Sequence, residues 1–125
     1  DVESRGLGDV YKRQSMDSLI KIYEKLTNDF NNTVVITLED KGCFTKIGDT
    51  YKLIPSVKVK SVDTTGAGDI FHGAFTYFIT HGYSLEDTCK LSNLTGALST
   101  LRVGGRYSMP KLEAVLERRN LVDTI

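Results

Sequence analysis

An α/β fold, with helices laid on a mainly parallel sheet, is predicted by three features of the chain. A helical period runs through "SMDSLIKIYEKLTNDF". A β-branched run, "TVVITL", and a hairpin-like "CFTKIGDTYKLIP" follow it. Three further helical stretches come after a glycine-rich loop. Helix-period and strand-period segments alternating in one short chain are what layered α/β domains require.

Each element has a local cause. Leu19, Ile20, Tyr23, Leu26 and Phe30 fall on one helical face, Ser15 can cap its start, and Asn31-Asn32 ends it. Thr33 to Leu38 is short and β-branched, which predicts a buried parallel strand. "EDKG" turns the chain into a hairpin whose own turn falls at Gly48-Asp49. Pro55 closes that hairpin, and the alternating "VKVKSV" predicts one more strand. "GDIFHGAFTYFITHG" is apolar on most sides, so a largely buried helix stopped by Gly82 is expected. The next helix starts at "SLED", with Ser84 and Asp87 as a capping pair, and Gly104-Gly105 breaks the chain after it. A last helix is expected to begin around Ser108 and Pro110 and to end in basic residues, whose charge suits the helix dipole.

Composition narrows the function classes. A chain of 125 residues is one domain or a piece of one. Sixteen basic residues balance sixteen acidic ones, which argues against a general nucleic-acid binder. Nothing approaches the roughly 18 apolar residues of a membrane span. Cys43 and Cys89 form no CxxC pattern, and His72 and His81 are too few for a histidine metal cluster. A soluble, reduced, cytoplasmic protein is the expected class.

Residues 1–14 stand apart. "SRGLGDVYKRQ", Ser4 to Gln14, has no hydrophobic period and matches the translation of a transposon-type sequencing-library adapter. They are read as a non-native segment outside the fold. Residues 15–125 are read as the carboxy-terminal part of a longer domain.

The chemistry concentrates in "VDTTGAGDIFHG". A strand is expected to end near Val62 and a helix to start near Gly66 to Gly68. Glycines let backbone turn tightly and approach a ligand. The first amides of a helix lack internal partners and lie at the positive end of its dipole, so they suit a phosphate. Asp69, in that first turn, could accept a proton beside them. A bare GxGD has a second reading, in which Asp69 caps a helix and the glycines make a turn. The spacing fits neither a dinucleotide fingerprint, a GxxxxGK[ST] loop nor a calcium loop.

The longer string "DTTGAGDIFHGAF" resembles the carboxy-terminal signature of the ribokinase (phosphofructokinase-B) family of sugar kinases, unbroken over Asp63 to Asp69 and continuing through Phe71 and Gly73. That resemblance implies an incomplete ribokinase-like, Rossmann-like α/β/α sandwich. It implies ATP-dependent phosphoryl transfer to a sugar hydroxyl, with Asp69 as catalytic base and the Gly66, Ala67 and Gly68 amides as anion hole. Thr64 would sit by the phosphates. "VVITLEDKGCF" is similar to the family's T-L-G-x-x-G turn beside the nucleotide, which implies nucleotide contacts at Thr37, Leu38 and Gly42. Glu39 departs from that pattern, standing where glycine is common.

"LSNLTGALSTLRVGGRYSMP" resembles the family's helix and loop over the adenine. It implies Asn93 near the base and a potassium-like ion ringed by Asp63, Thr65, Ser99, Arg102, Gly104 and Ser108. Asn93 and Ser99 equally fit ordinary helix polarity. ATP, magnesium and a monovalent cation are the implied cofactors, a small sugar the partner, and a homodimer the full-length state. In the family, most sugar and magnesium ligands lie upstream of the segment matched here, so this polypeptide alone is expected to be inactive. A non-catalytic nucleotide-binding or regulatory module is the alternative.

Overall fold

The computed structural model describes residues 16–29, 33–101 and 110–119. They divide into two compact units, one ending at Ile54 and one beginning at Pro55.

In the first unit, helix α1 spans Met16–Asp29. Strand β1 is Ile36–Thr37, and a 3-10 turn, Glu39–Lys41, leads into β2, Cys43–Ile47, and β3, Thr50–Ile54. The sheet runs in the order β1-β2-β3. Both pairings are antiparallel, with Ile36 opposite Phe44 and Cys43 opposite Ile54. The hairpin turn falls at Gly48, as expected, because φ of 60° suits the first position of a two-residue hairpin turn.

The expected parallel strand at 33–38 is corrected here. Val34, Val35, Ile36 and Leu38 are buried as anticipated. The tight 3-10 turn, however, folds β2 straight back onto Ile36-Thr37, and a short connection permits only antiparallel pairing. Among the described residues the sheet is therefore antiparallel rather than mainly parallel.

The hydrophobic face of α1 is fixed to this sheet by rings. Tyr23 meets Phe44 and Tyr51 edge-on, with centroids 6.3 and 5.4 Å away, while Phe44 and Tyr51 stack at 5.9 Å. Each such pair adds about 0.5–1.5 kcal/mol beyond burial. Thr45, fully buried, donates its hydroxyl to the Val34 carbonyl at 2.7 Å, so its polar atom is not stranded in the core.

In the second unit, helix α2 spans Ala67–Thr80, α3 spans Leu85–Ser99, and α4 is a short helix, Leu112–Glu117. Their core is Ala74, Phe78, Leu91, Leu94 and Val115. Gly82, at φ 87°, ends α2 as expected. The Tyr83 amide returns to the Phe78 carbonyl at 3.1 Å and Gly82 to Ile79 at 3.4 Å. That is the paired Schellman arrangement, and the Phe78 and Tyr83 rings supply its hydrophobic contact at 5.0 Å. Ser84 caps α3, its hydroxyl accepting from the Asp87 amide at 3.1 Å. The Asp87 carboxylate pairs with Arg119 at 2.8 Å.

Three further expectations differ from what is found. "VKVKSV" forms no strand, although Val57 and Val59 are half-buried and Lys58 and Lys60 exposed in the expected alternation. Alternation needs a neighbouring ladder to become a strand, and among the described residues none lies beside it. The final helix starts at Leu112 with Lys111 at its cap, so Pro110 lies just outside it; Ser108 lies outside the described residues. Finally, α2 buries one stripe, Ile70, Phe71, Ala74 and Phe78, and exposes His72, Gly73, Thr76 and Tyr77. The helix buried on nearly all sides is α3, despite its polar composition.

Candidate functional site

Residues 63–69 form one continuous turn into α2. The Asp63 carboxylate accepts from the Thr65 amide at 2.9 Å, an Asx-type turn that folds the loop on itself. Gly66 follows at φ 75°, in the left-handed region that glycine adopts without strain. This reversal lets the next residue begin a helix. The first helical bond runs from the Ile70 amide to the Gly66 carbonyl at 2.9 Å. The amides of Gly68 and Asp69 therefore precede the ladder, at the positive end of the helix dipole. The Ala67 amide is turned to the Thr64 carbonyl at 3.2 Å, the long end of hydrogen-bonding distance.

Asp69 is exposed in this first turn. A Cβ added at Gly68 would meet nothing within 4 Å, so the protein itself leaves open space there. These features fit an anion lying against the helix start. A carboxylate placed at the same turn can take a proton from a group brought to that anion.

The approach to the loop is held by the end of α3. The amides of Val62 and Asp63 both donate to the Thr100 carbonyl, at 2.7 and 3.0 Å. Ser61 and Thr100 join through their hydroxyls at 3.1 Å. The strand expected to end near Val62 is not found among the described residues; Val62 and Asp63 end a segment tied to the end of α3.

The remaining expected site residues are distributed as follows. Thr64 and Thr65 lie in the loop, both exposed. Ser99 is buried and bonds the Gly96 carbonyl at 2.6 Å. Because Asp63 bonds to Thr100, the backbone brings Asp63 beside the residue that follows Ser99. Asn93 is buried on α3, one turn before Gly96. Arg102, Gly104 and Ser108 lie outside the described residues. Among the described residues no three His, Cys, Asp or Glu side chains gather as a metal site, and no helix is long and apolar enough to cross a membrane.

Thr37, Leu38 and Gly42 come together in the first unit, where the Leu38 amide donates to the Gly42 carbonyl at 2.8 Å. The Thr37 hydroxyl is buried without a partner there. Glu39 sits at φ 56°, and it is the one described residue other than glycine in the left-handed region. The turn thus keeps a glycine-type backbone under a glutamate. Left-handed φ costs a residue with a Cβ about 1–2 kcal/mol, and glycine gives back about 0.5–1 kcal/mol through its freer unfolded chain. Glu39→Gly should therefore stabilise the protein by about 0.5–1 kcal/mol in urea unfolding. A loss of stability would mean that the carboxylate makes a compensating contact.

Thr100, Ser61 and Gly96 were not singled out by the sequence. A threonine at a helix end carries no motif, and Gly96 reads as ordinary. The structure shows that a Cβ on Gly96 would lie 3.6 Å from the Ala67 carbonyl, so α3 runs close beneath the loop. Apart from the loop, an apolar groove of about 350 Å³ lies against Gly73, Tyr77, Pro110 and Leu112.

Comparison with known proteins gives the loop its context. The model of the pfkB family of carbohydrate kinases matches residues 3–112. This chain belongs to the pfkB family. It is 38% identical over 92 residues to a ribokinase of Lactococcus lactis, covering 74% of this chain and 31% of that protein. It is 36% identical over 100 residues to fructokinase-1 of Zea mays, again covering 74% and 31%. The structure of Arabidopsis thaliana ribokinase complexed with ribose and ATP superposes with a TM-score of 0.77 at 26% identity, over 87% of this chain and 35% of that one. The chain thus spans about a third of the length of these pfkB relatives. Its fold is part of the α/β ribokinase-like fold, and the enzyme class of the family is carbohydrate kinase.

Proposed function

We propose that this chain is the phosphoryl-transfer end of an ATP-dependent sugar kinase. The observation that carries the proposal is the Gly66 reversal. It sets exposed Asp69 in the same helical turn as amides that precede the hydrogen-bond ladder. A sugar hydroxyl attacks the γ-phosphorus of ATP, the bond to the β–γ bridging oxygen breaks, and ADP leaves. Asp69 takes the hydroxyl proton. The Gly66, Ala67 and Gly68 amides hold the charge on the transferred group, the Ala67 amide giving up its long bond to the Thr64 carbonyl to do so. Magnesium, when bound, neutralises the phosphate charge.

Thr64 lies by the phosphates, and Thr37, Leu38, Gly42 and Asn93 contact the nucleotide. Asp63, Thr65 and Ser99, with Arg102, Gly104 and Ser108, hold a potassium-like cation, mainly through main-chain oxygens. The Asp63–Thr100 bond supports this grouping by bringing the two segments together. The complete enzyme acts on a small sugar, in the cytoplasm, as a homodimer. Residues 1–14 are an adapter-derived segment, a reading the genomic locus decides, and the family match begins within it.

The test is a fusion kinase. The amino-terminal part of the Lactococcus lactis ribokinase, up to where the match begins, is joined ahead of Met16 of this chain. ATP-dependent phosphorylation of ribose, stimulated by potassium, is the expected result. A folded fusion that binds ribose and ATP without transferring phosphate would refute the proposal.

A further inference from the structure

Among the described residues the segment before the loop pairs with no strand, and its amides turn instead to the end of α3. The end of α3 supports the loop at two places. Before the loop, the Thr100 carbonyl takes both the Val62 and Asp63 amides, at 2.7 and 3.0 Å. Beside them a relay of hydroxyls runs from Ser61 to Thr100 at 3.1 Å and from Thr100 to the Ala97 carbonyl at 2.6 Å. After the loop, the Ala67 carbonyl lies against Gly96 of the same turn. The loop is therefore spanned between two supports within residues 96–100, the last turn of α3 and its C-cap.

From this geometry we infer that Thr100 is a positioning residue for phosphoryl transfer, with Ser61 as its partner. This rests on the kinase reading above. The Thr100 side chain bonds Ser61 and the Ala97 carbonyl, so in this role it acts on the loop and not on the reacting atoms. It sets the distance between the Asp63 side of the loop and the helix start that carries Asp69. Transfer between two bound groups is sensitive to displacements well under the size of an atom, so a loosened support lowers turnover more than binding.

Thr100→Val keeps the branched shape and the carbonyl and removes only the hydroxyl. Ser61→Ala removes the other half of the same bond, and Thr100→Ser restores it. In the full chain, amide hydrogen exchange at Val62 and Asp63 should quicken about three- to tenfold in Thr100→Val and in Ser61→Ala, the range one hydrogen bond supports. The double variant should be no faster than Thr100→Val, and Thr100→Ser should match the wild type. Unchanged or additive exchange overturns the pairing of Thr100 with Ser61 as the support of the loop.

In the fusion kinase the same variants should lower kcat about three- to tenfold while KM for ATP and ribose stays within about twofold, again with rescue by Thr100→Ser. A working wild-type fusion whose kcat is unchanged in both variants overturns the positioning role alone. A wild-type fusion that transfers no phosphate overturns the kinase reading, and this role with it.

Discussion

Asp69→Asn is expected to lower kcat of the fusion kinase about 10³-fold, in the middle of the range for losing a general base. The substitution is nearly isosteric. It leaves the Gly66 reversal and the helix-start amides in place, so KM for ATP should stay within about twofold. Asp69 is exposed and supports the helix dipole, so its neutralisation should cost less than about 1 kcal/mol of stability. These two expectations separate base from cap. If Asp69 only capped α2, stability would fall and turnover would follow it only in proportion. If the chain were a module that binds nucleotide without catalysing, the wild type would show no turnover to lose. Steady-state kinetics together with a thermal melt of both proteins decides among the three.

Gly68→Ala should separate folding from function in the opposite sense. The added Cβ meets nothing within 4 Å, and Gly68 is not among the glycines with positive φ. Alanine in place of glycine at a helix start should leave stability unchanged or raise it by up to about 1 kcal/mol. The same methyl would occupy the open space before the helix-start amides. Turnover should therefore fall about 10²-fold, comparable to the loss of one donor from an anion hole. A more stable protein with poor phosphate transfer is the predicted outcome. A more stable protein with full activity would place the phosphoryl group elsewhere. Gly66 offers no such separation, because its φ of 75° makes it a requirement of the backbone itself.

The loop was legible because its residues act locally. Glycine where the chain reverses and an acid in the first helical turn are both consequences of neighbours in sequence; the Asx turn at Asp63 is equally local but was not read there. The hairpin at Gly48 and the stop at Gly82 were legible for the same reason. What the sequence hid depends on partners distant along the chain. Ile36-Thr37 has the β-branched character of a parallel strand, yet its direction of pairing is set by the 3-10 turn at Glu39–Lys41. "VKVKSV" alternates correctly and still has no ladder among the described residues, because periodicity describes a face and not a neighbour. Hydrophobicity also misassigned the buried helix. The apolar α2 exposes Tyr77 and Ile79, while α3 buries Thr88, Ser92, Asn93, Thr95 and Ser99. Thr100, which ties loop to helix, was invisible, since a helix-end threonine has many fates and only tertiary contact selects one.

Glu39 shows a departure from a pattern becoming interpretable. In sequence it was a glutamate where the resembled turn favours glycine. In the structure it holds the backbone angle that glycine would adopt. The geometry of the turn is kept, at the expense of local strain.

The most direct measurement is transfer of labelled γ-phosphate from ATP to ribose by the fusion kinase, run beside the Lactococcus lactis part alone and the Asp69→Asn fusion. The account predicts labelled ribose phosphate from the wild-type fusion, none from the Lactococcus lactis part alone, and about a thousandth of the wild-type rate from the Asp69→Asn fusion. Equal label from the Asp69→Asn fusion, or none from a wild-type fusion that binds both ribose and ATP, would contradict it.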